Sequence, residues 1–127
     1  KKEEPFKVMA QKATRYKETP SIFNLDKPTG EIKSGNDDFF LSGDHGIFNK
    51  EIQQLKVEGN VELNDGGNLK FNTSEIFFDF KKEILSGNKK VKGRKKNSFI
   101  ESEGFKMFNK ENKIIFTGKT KLILAND

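Results

Sequence analysis

Apolar and polar residues alternate along most of this chain, and the alternation is clearest from Leu55 to Leu63. Leu55, Val57, Val61 and Leu63 share one parity, and a glycine, Gly59, stands between them. A period of two is typical of a β-strand that buries one face. Helical spacing persists nowhere for more than a turn, and strand-like runs return about every 8 to 12 residues. The pattern predicts an all-β fold: a sandwich, a jellyroll or a short solenoid.

Turn residues separate this strand from others of the same kind. Residues 6–14 alternate and predict a first strand, and Asp65-Gly66 predicts a tight hairpin turn. Residues 69–80 predict a long strand in which the buried parity slips near Ser74, so we expect a bulge or corner there. Residues 35–37 predict a further turn.

The chain also repeats itself. Phe48-Asn49-Lys50-Glu51 returns as Phe108-Asn109-Lys110-Glu111, with a degenerate copy at Phe80-Lys81-Lys82-Glu83. A strand with a central glycine, Gly59 or Gly118, follows each of the two closer copies. Glycine weakens a strand interior, so its presence needs a reason. Two interpretations stay open: a bulge that bends a long strand, or space for a ligand or a crossing backbone.

Composition narrows the possible chemistry. The chain has 127 residues, a net charge of +5, no cysteine and one histidine. The lack of cysteine excludes disulfides, thiolate metal ligands and cysteine nucleophiles. His45 follows Asp44 without a serine at triad spacing, and Asp37-Asp38 offers too few oxygen ligands for calcium. No phosphate-binding glycine loop is present. We therefore expect no enzyme, no metal site and no cofactor.

Residues 89–96 carry six basic side chains in eight positions. The simplest interpretation is a solvated loop whose like charges repel one another and keep it mobile. Two functional interpretations remain, namely contacts with phosphates and binding of nucleic acid. Sheet-based nucleic-acid binders present exposed aromatic side chains beside basic residues. Here the phenylalanines follow the buried parity and the basic run contains no aromatic residue, so we expect no nucleic-acid partner.

Taken in order, four segments resemble the periplasmic domain of the LptC-type lipopolysaccharide export proteins. They are residues 42–50 (SGDHGIFNK), the alternating strand at 55–63, the Leu-x-Phe-x-Thr pattern at 69–73, and residues 114–124 (IIFTGKTKLIL). The LptA-type bridge protein shares the repeat. The resemblance covers nearly the whole chain and rests on the order of several weak motifs. It implies a single domain over residues 1–127, folded as a twisted open β-jellyroll whose two antiparallel sheets enclose an apolar groove.

The resemblance further implies that acyl chains of lipopolysaccharide lie in this groove. Acyl chains need only an apolar channel that excludes water, and one face of the predicted strands supplies it. On residue types alone, the same side chains form a closed core. The candidate lipid-binding residues are Leu55, Val57, Val61, Leu63, Leu69, Phe71, Ile76, Phe78, Phe116, Leu122 and Leu124.

The family also implies partners. Its members receive lipopolysaccharide from an inner-membrane ABC transporter and pass it to an LptA-type bridge protein in the periplasm by edge-strand pairing. Unpaired strand edges are templates for strand addition, so we expect partner edges at both ends of the chain. The same edges permit self-association. The candidate edge residues are Phe6, Val8, Ala10, Lys121, Leu122, Ile123 and Leu124.

An N-terminal transmembrane helix normally tethers such proteins to the inner membrane, and this chain contains neither such a helix nor a signal peptide. The chain starts at Lys1 without a methionine. We therefore expect a mature or trimmed form of a tethered periplasmic protein. Two other hypotheses stay open: a soluble bridge of the LptA type, and a basic β-domain that binds nucleic acid.

Overall fold

The computed structural model describes residues 6–34 and 37–124, where all regular structure is β-strand. The turn expected at 35–37 falls largely outside these residues. The strands are β1 (Phe6–Met9), β2 (Lys12–Thr14), β3 (Ile22–Asp26), β4 (Thr29–Ser34), β5 (Asp37–Ser42), β6 (His45–Asn49), β7 (Gln54–Asn64), β8 (Leu69–Asp79), β9 (Ile84–Gly87), β10 (Val91–Lys95), β11 (Ser98–Phe108) and β12 (Lys113–Ile123).

Four long strands of 11 residues, β7, β8, β11 and β12, run through both arms of the molecule. The first, the β10 arm, has the order β1-β4-β5-β7-β8-β10-β11-β12. The second, the β9 arm, begins with β2-β3-β6 and places β9 between β8 and β11. These strands pair antiparallel throughout. The predicted open β-jellyroll is confirmed.

Bulges mark where the long strands pass from one arm into the other. The pairing of β7 with β8 shifts register between Glu58 and Val61, around Gly59 (φ 82°). The pairing of β11 with β12 shifts between Ser102 and Gly104, opposite Gly118 (φ 75°). A glycine with positive φ at the first position defines a G1 bulge. The two central glycines are therefore bulges, and the first of the two interpretations is confirmed.

The corner expected near Ser74 is also present. Phe71 is buried before it and Ile76 and Phe78 after it, so the inward parity of β8 slips as predicted. The register shift itself lies in the facing strand, at Gly59. The slip leaves Glu75 half-buried, where its carboxylate lies 3.4 Å from the Lys56 ammonium.

The inner faces of both arms meet in one hydrophobic core. The buried Phe78 belongs to this core, and three partly buried phenylalanines pack against it in edge contact. The Phe78 ring lies 4.8 Å from those of Phe6 and Phe80, and Phe48 lies 5.5 Å from Phe80. Such edge-to-face pairs add about 0.5–1.5 kcal/mol each to the burial of the rings. The N-terminal strand β1 is therefore held to the core through Phe6.

Three four-residue turns stack at the end of the β9 arm. Residues 50–53, 80–83 and 109–112 follow β6, β8 and β11, and each turn ends in a residue of positive φ: Gln53, Glu83 and Asn112. The Phe80 amide donates to the Gln53 carbonyl at 3.0 Å, and the Asn109 amide donates to the Glu83 carbonyl at 3.0 Å. In the structure the residue before the first turn, Asn49, corresponds to the residue before the third turn, Phe108. The sequence repeat instead aligns Phe48 with Phe108, so the two alignments differ by one residue.

Two expectations about the course of the chain are wrong. Residues 6–14 form two strands, because the chain leaves the β10 arm after Met9 and joins β3 of the β9 arm from Lys12. The basic run at 89–96 is not a mobile loop: it contains β10, which pairs with β8 and β11 and buries Val91.

The expectation that phenylalanines follow the buried parity fails for the half-buried Phe77, which lies between the buried Ile76 and Phe78, and at two exposed positions. Phe40 and Phe99 lie on the outer face of the β10 arm and are exposed by 38% and 45%. Phe99 pairs with Arg94, which pairs with Lys70 on its other side. One aromatic ring therefore lies beside basic side chains on an exposed face, which the sequence pattern did not indicate.

Candidate functional site: an apolar groove with one open end

Six of the eleven candidate lipid-binding residues lie in the closed core. Each is exposed by only 1% or 2%, because the inner faces of β7 and β8 are covered from both arms. They are Leu55, Val57, Val61, Leu63, Ile76 and Phe78. None of these six residues borders any of the four pockets found in the described part of the chain, so in this conformation they offer no space for an acyl chain. Their role in lipid binding stays a prediction.

Four other candidates border an apolar pocket of about 170 Å³ at one end of the groove. Leu69 and Phe71 come from β8, and Phe116 and Leu122 come from β12. The rings of Phe71 and Phe116 lie 5.8 Å apart, centroid to centroid, so they close the pocket on the core side. Phe99 and Ile100 of β11 complete the apolar lining. We call this pocket the open end.

Gly93 sets the shape of the open end. It pairs with Phe71 on one side and with Ile100 on the other. A Cβ atom at this position would lie 2.5 Å from the Phe71 ring and 2.8 Å from Ile100, closer than atoms pack. The missing side chain therefore lets the Phe71 ring lie against β10. Sequence reasoning missed this residue, although its alternation with Val91 in a run of lysines is a strand signal.

The last strand leaves the open end partly uncovered. Leu122 is 58% exposed although it belongs to the inward parity of β12, and Leu124, just after the strand, is 71% exposed. Leu63, at the corresponding position of β7, is covered because β7 pairs with β5 and β8 there. In the described residues β12 pairs with β11 alone, so nothing shields this side of the groove. Leu124 does not border the pocket itself.

Both groups of candidate edge residues lie at sheet edges. Phe6 and Val8 are in β1, which pairs only with β4 within the described chain, and Ala10 follows it. Lys121, Leu122 and Ile123 are in β12, at the opposite end of the β10 arm, and Leu124 follows. A strand paired on one side presents a row of free backbone donors and acceptors.

A carboxylate supports each bulge. The Asp44 side chain accepts from the Asn60 amide at 2.8 Å and lies 3.3 Å from the Lys27 ammonium. These two hydrogen bonds hold the pKa of the Asp44 carboxyl below its ordinary value. At the second bulge, Glu103 accepts from the backbone amide of Lys119 at 3.1 Å. The acids therefore have a structural role at the bends.

His45 has a structural position as well. It lies in β6 and pairs with Asp26 on one side and Glu58 on the other. Residues 6–34 and 37–124 hold no group of three or more His, Asp or Glu side chains arranged to bind a metal ion. The same residues contain no helix with the length and hydropathy needed to cross a bilayer.

Comparisons with known proteins agree with this architecture. The family model described as "Lipopolysaccharide-assembly, LptC-related" matches residues 4–124. An uncharacterized protein of Aquifex aeolicus (strain VF5) is 32% identical over 77 residues, which cover 61% of this chain and 46% of that protein. The chain thus matches about half the length of this relative.

A solved structure has the same fold. It is LptH of Pseudomonas aeruginosa, described as the LptA homologous periplasmic component of the conserved lipopolysaccharide transport device. The TM-score is 0.69 at 9% sequence identity, and the match covers 97% of this chain and 96% of LptH. At this identity the likeness concerns the fold.

An open β-jellyroll with an apolar groove and two free edges is the fold of this chain, and LptH shares the jellyroll. The chain belongs to the LptC-related family of lipopolysaccharide-assembly proteins.

Proposed function

We propose that this domain binds lipopolysaccharide by its acyl chains and transfers it along the groove between the two arms. It receives the lipid from an inner-membrane ABC transporter and passes it to a periplasmic bridge protein of the LptA type. The observation that carries the proposal is the open end, an apolar pocket that lies next to the core and is bordered by four of the predicted residues. An N-terminal helix tethers the native protein to the inner membrane.

The energetics of the groove support transient binding. Burying one methylene group stabilises a bound chain by about 0.8 kcal/mol, so a pocket of this size holds only the end of an acyl chain. Deeper entry requires the arms to separate along the uncovered side of β12, which exposes the sealed residues Val57 and Phe78. Energy for net transport comes from the transporter.

The free edges support transfer between proteins. The outer side of β12 offers an 11-residue edge on which a partner strand extends the β10 and β9 arms together. The inward residues Phe116 and Leu122 then continue onto the partner's inner face. The β1 edge at Phe6–Met9 provides the second contact, at the opposite end of the β10 arm.

Photo-crosslinking in cells tests the groove. A photoreactive residue at Phe116 or Leu122 is expected to give lipopolysaccharide adducts, and one at Val57 is expected to give fewer because that site is sealed until the arms separate. Lys121, the neighbour of Leu122 on the outer face, is the matched control. Adducts at Lys121 as strong as those at Leu122, or none at either groove position, would contradict the groove.

Proline substitution tests the β12 edge. Backbone N–H groups of successive strand residues point to opposite sides, so of Leu122→Pro and Ile123→Pro one removes an outward donor and the other a donor to β11. We expect one variant to lose binding to the bridge protein while its free energy of unfolding is unchanged. If both variants bind the bridge protein normally, this edge is not the contact.

The second candidate is a bridge protein of the LptA type, favoured by the fold likeness to LptH. It would use the same groove and edges but carry no tether. Fractionation of the full-length native protein separates the two candidates. Recovery with inner membranes after a high-salt wash is expected for the tethered protein, and recovery in the periplasmic fraction would favour the bridge.

A further inference from the structure

The turn between β10 and β11 forms the rim of the open end. Lys95 is the last residue of β10, and it pairs with Leu69 on one side and Ser98 on the other. Lys95 and Leu69 therefore belong to one cross-strand row on the inner face, and both border the pocket. Arg94 also borders the pocket, although its pairing with Phe99 and Lys70 assigns it to the outer face.

The charge at this rim has one sign. The residues that border the open end include Arg94 and Lys95 and no Asp or Glu. Nearby cations are already paired: the Lys70 ammonium lies 3.8 Å from Glu62, and that of Lys90 lies 3.5 Å from Glu101. Among the described residues, Arg94 and Lys95 take part in no ion pair. Two cations without counterions thus stand beside an apolar pocket.

The rim is held in place by the sheet. β10 pairs with strands on both sides, and Val91 and Gly93 pack against the core. The position of Lys95 relative to Leu69 is therefore fixed by strand register. A cation at the border of an apolar pocket matches a ligand with an acyl tail and an anionic group at its head. Guanidinium and ammonium groups bind phosphate oxygens through charge-assisted hydrogen bonds.

We propose that Arg94 and Lys95 form a binding site for the phosphate headgroup of the lipid whose acyl chain enters the open end. This site rests on the proposed function in one respect: the acyl chain of the same lipid occupies the open end. It gives the groove a preference for anionic over neutral amphiphiles. The cations orient the lipid with its head at the β10–β11 turn and its tail toward Phe71 and Phe116.

Equilibrium binding of two amphiphiles with the same tail tests the site. Dodecyl phosphate and dodecyl maltoside are titrated below their micelle concentrations, at constant ionic strength, into the whole chain. The wild type is expected to bind dodecyl phosphate about tenfold more tightly, the effect of roughly one strong charge-assisted contact. The variant Arg94→Gln/Lys95→Gln is expected to lose this preference and keep its affinity for dodecyl maltoside.

The matched control removes two charges from residues of the same arm that do not border the pocket. Lys92 and Lys121 both pair with Glu101 on the outer face. The variant Lys92→Gln/Lys121→Gln is expected to keep the tenfold preference. If it loses as much as the rim variant, the preference reflects net charge, and the site is overturned.

The remaining outcomes separate this site from the groove itself. Equal binding of the two amphiphiles to the wild type would leave the groove in place and overturn the phosphate site. Binding of neither amphiphile would overturn the groove, and the headgroup site with it. Inorganic phosphate alone is the last probe: binding as tight as that of dodecyl phosphate would show a site for free anions and overturn the assignment to a lipid headgroup.

Discussion

Strands β7 and β12 have the same sequence pattern, but β7 is buried and β12 is exposed. Each has 11 residues, an inward parity of alternating apolar residues, and a central glycine in a G1 bulge supported by a carboxylate. Leu63 stands four residues after Gly59, and Leu122 stands four residues after Gly118. Leu63 is 2% exposed, whereas Leu122 is 58% exposed.

The difference comes from the neighbouring strands. β7 pairs with β8 on one side and with both β5 and β6 on the other, so both of its halves lie inside the sheet. β12 pairs with β11 alone in the described part of the chain. The same local pattern therefore forms a sealed core wall in one place and the wall of an open pocket in the other. Burial here is a property of topology rather than of the strand.

The largest expected difference is in core stability. Leu63→Ala should lower the free energy of unfolding by about 2–5 kcal/mol, because it leaves a cavity in a sealed core. Leu122→Ala should change it by about 0.5 kcal/mol or less, as for other exposed positions. Urea unfolding of the two variants checks this. Equal losses would mean that β12 is covered in solution, for example by a second copy.

Substitutions of the two bulge glycines should differ less in the free energy of unfolding that they cost. Gly59→Ala and Gly118→Ala each place a side chain at positive φ, which costs about 1–3 kcal/mol. The new Cβ would also meet the supporting carboxylate side chain at both sites, 2.8 Å from an Asp44 oxygen at Gly59 and closer still to Glu103 at Gly118. At Gly59 the contact is hard to relieve, because Asn60 and Lys27 hold Asp44 and β7 is paired on both sides. In the described residues β12 is paired with β11 alone, so it can shift away from Glu103. We therefore expect the larger loss of unfolding free energy at Gly59.

A third glycine serves as the control for these variants. Gly67 lies in the β7–β8 turn without positive φ, and an added Cβ there would meet only an Asp65 oxygen at 3.4 Å. Gly67→Ala should leave stability nearly unchanged. A loss as large as that of Gly59→Ala would show that the bulge conformation is not the cause.

The smallest expected effect is a pH dependence at the first bulge. The pKa of Asp44 is lower in the folded chain than its ordinary value of 3.8, because Asn60 and Lys27 bind the carboxylate. Its contribution is complete above that value and is lost as the pH falls through the folded pKa. The difference in urea midpoint between wild type and Asp44→Asn should thus be largest near neutral pH and shrink in acid.

Glu103 provides the matched comparison, since it supports the second bulge through one backbone amide. Glu103→Gln should shift the urea midpoint less than Asp44→Asn at neutral pH. A midpoint difference for Asp44→Asn that grows as the pH falls would contradict the role of the carboxylate.

Local pattern predicted much of this fold. The alternation at Leu55–Leu63, the slip at Ser74 and the two central glycines each carry their signal within a few residues, and the structure confirms all of them. The family resemblance contributed the open jellyroll, which alternation alone could not separate from a sandwich.

Features that depend on distant neighbours were not predictable in this way. The chain changes arms after Met9 without interrupting its alternation, and the burial of Val91 in a basic run depends on pairing with β8 and β11. The open end is the clearest case. Nothing local separates Leu122 from Leu63, so the sequence offered eleven candidate residues where the structure places four at a pocket.

The stacked turns at residues 50–53, 80–83 and 109–112 bear on how such a domain changes length. Each turn has the same size and ends in the same left-handed conformation, and one backbone hydrogen bond joins it to the next. An additional hairpin with the same kind of turn could stack between two of these turns and form the same backbone hydrogen bond with each, as repeats do in a solenoid. The groove is therefore modular, and its span is set by the number of hairpins rather than by the length of any strand.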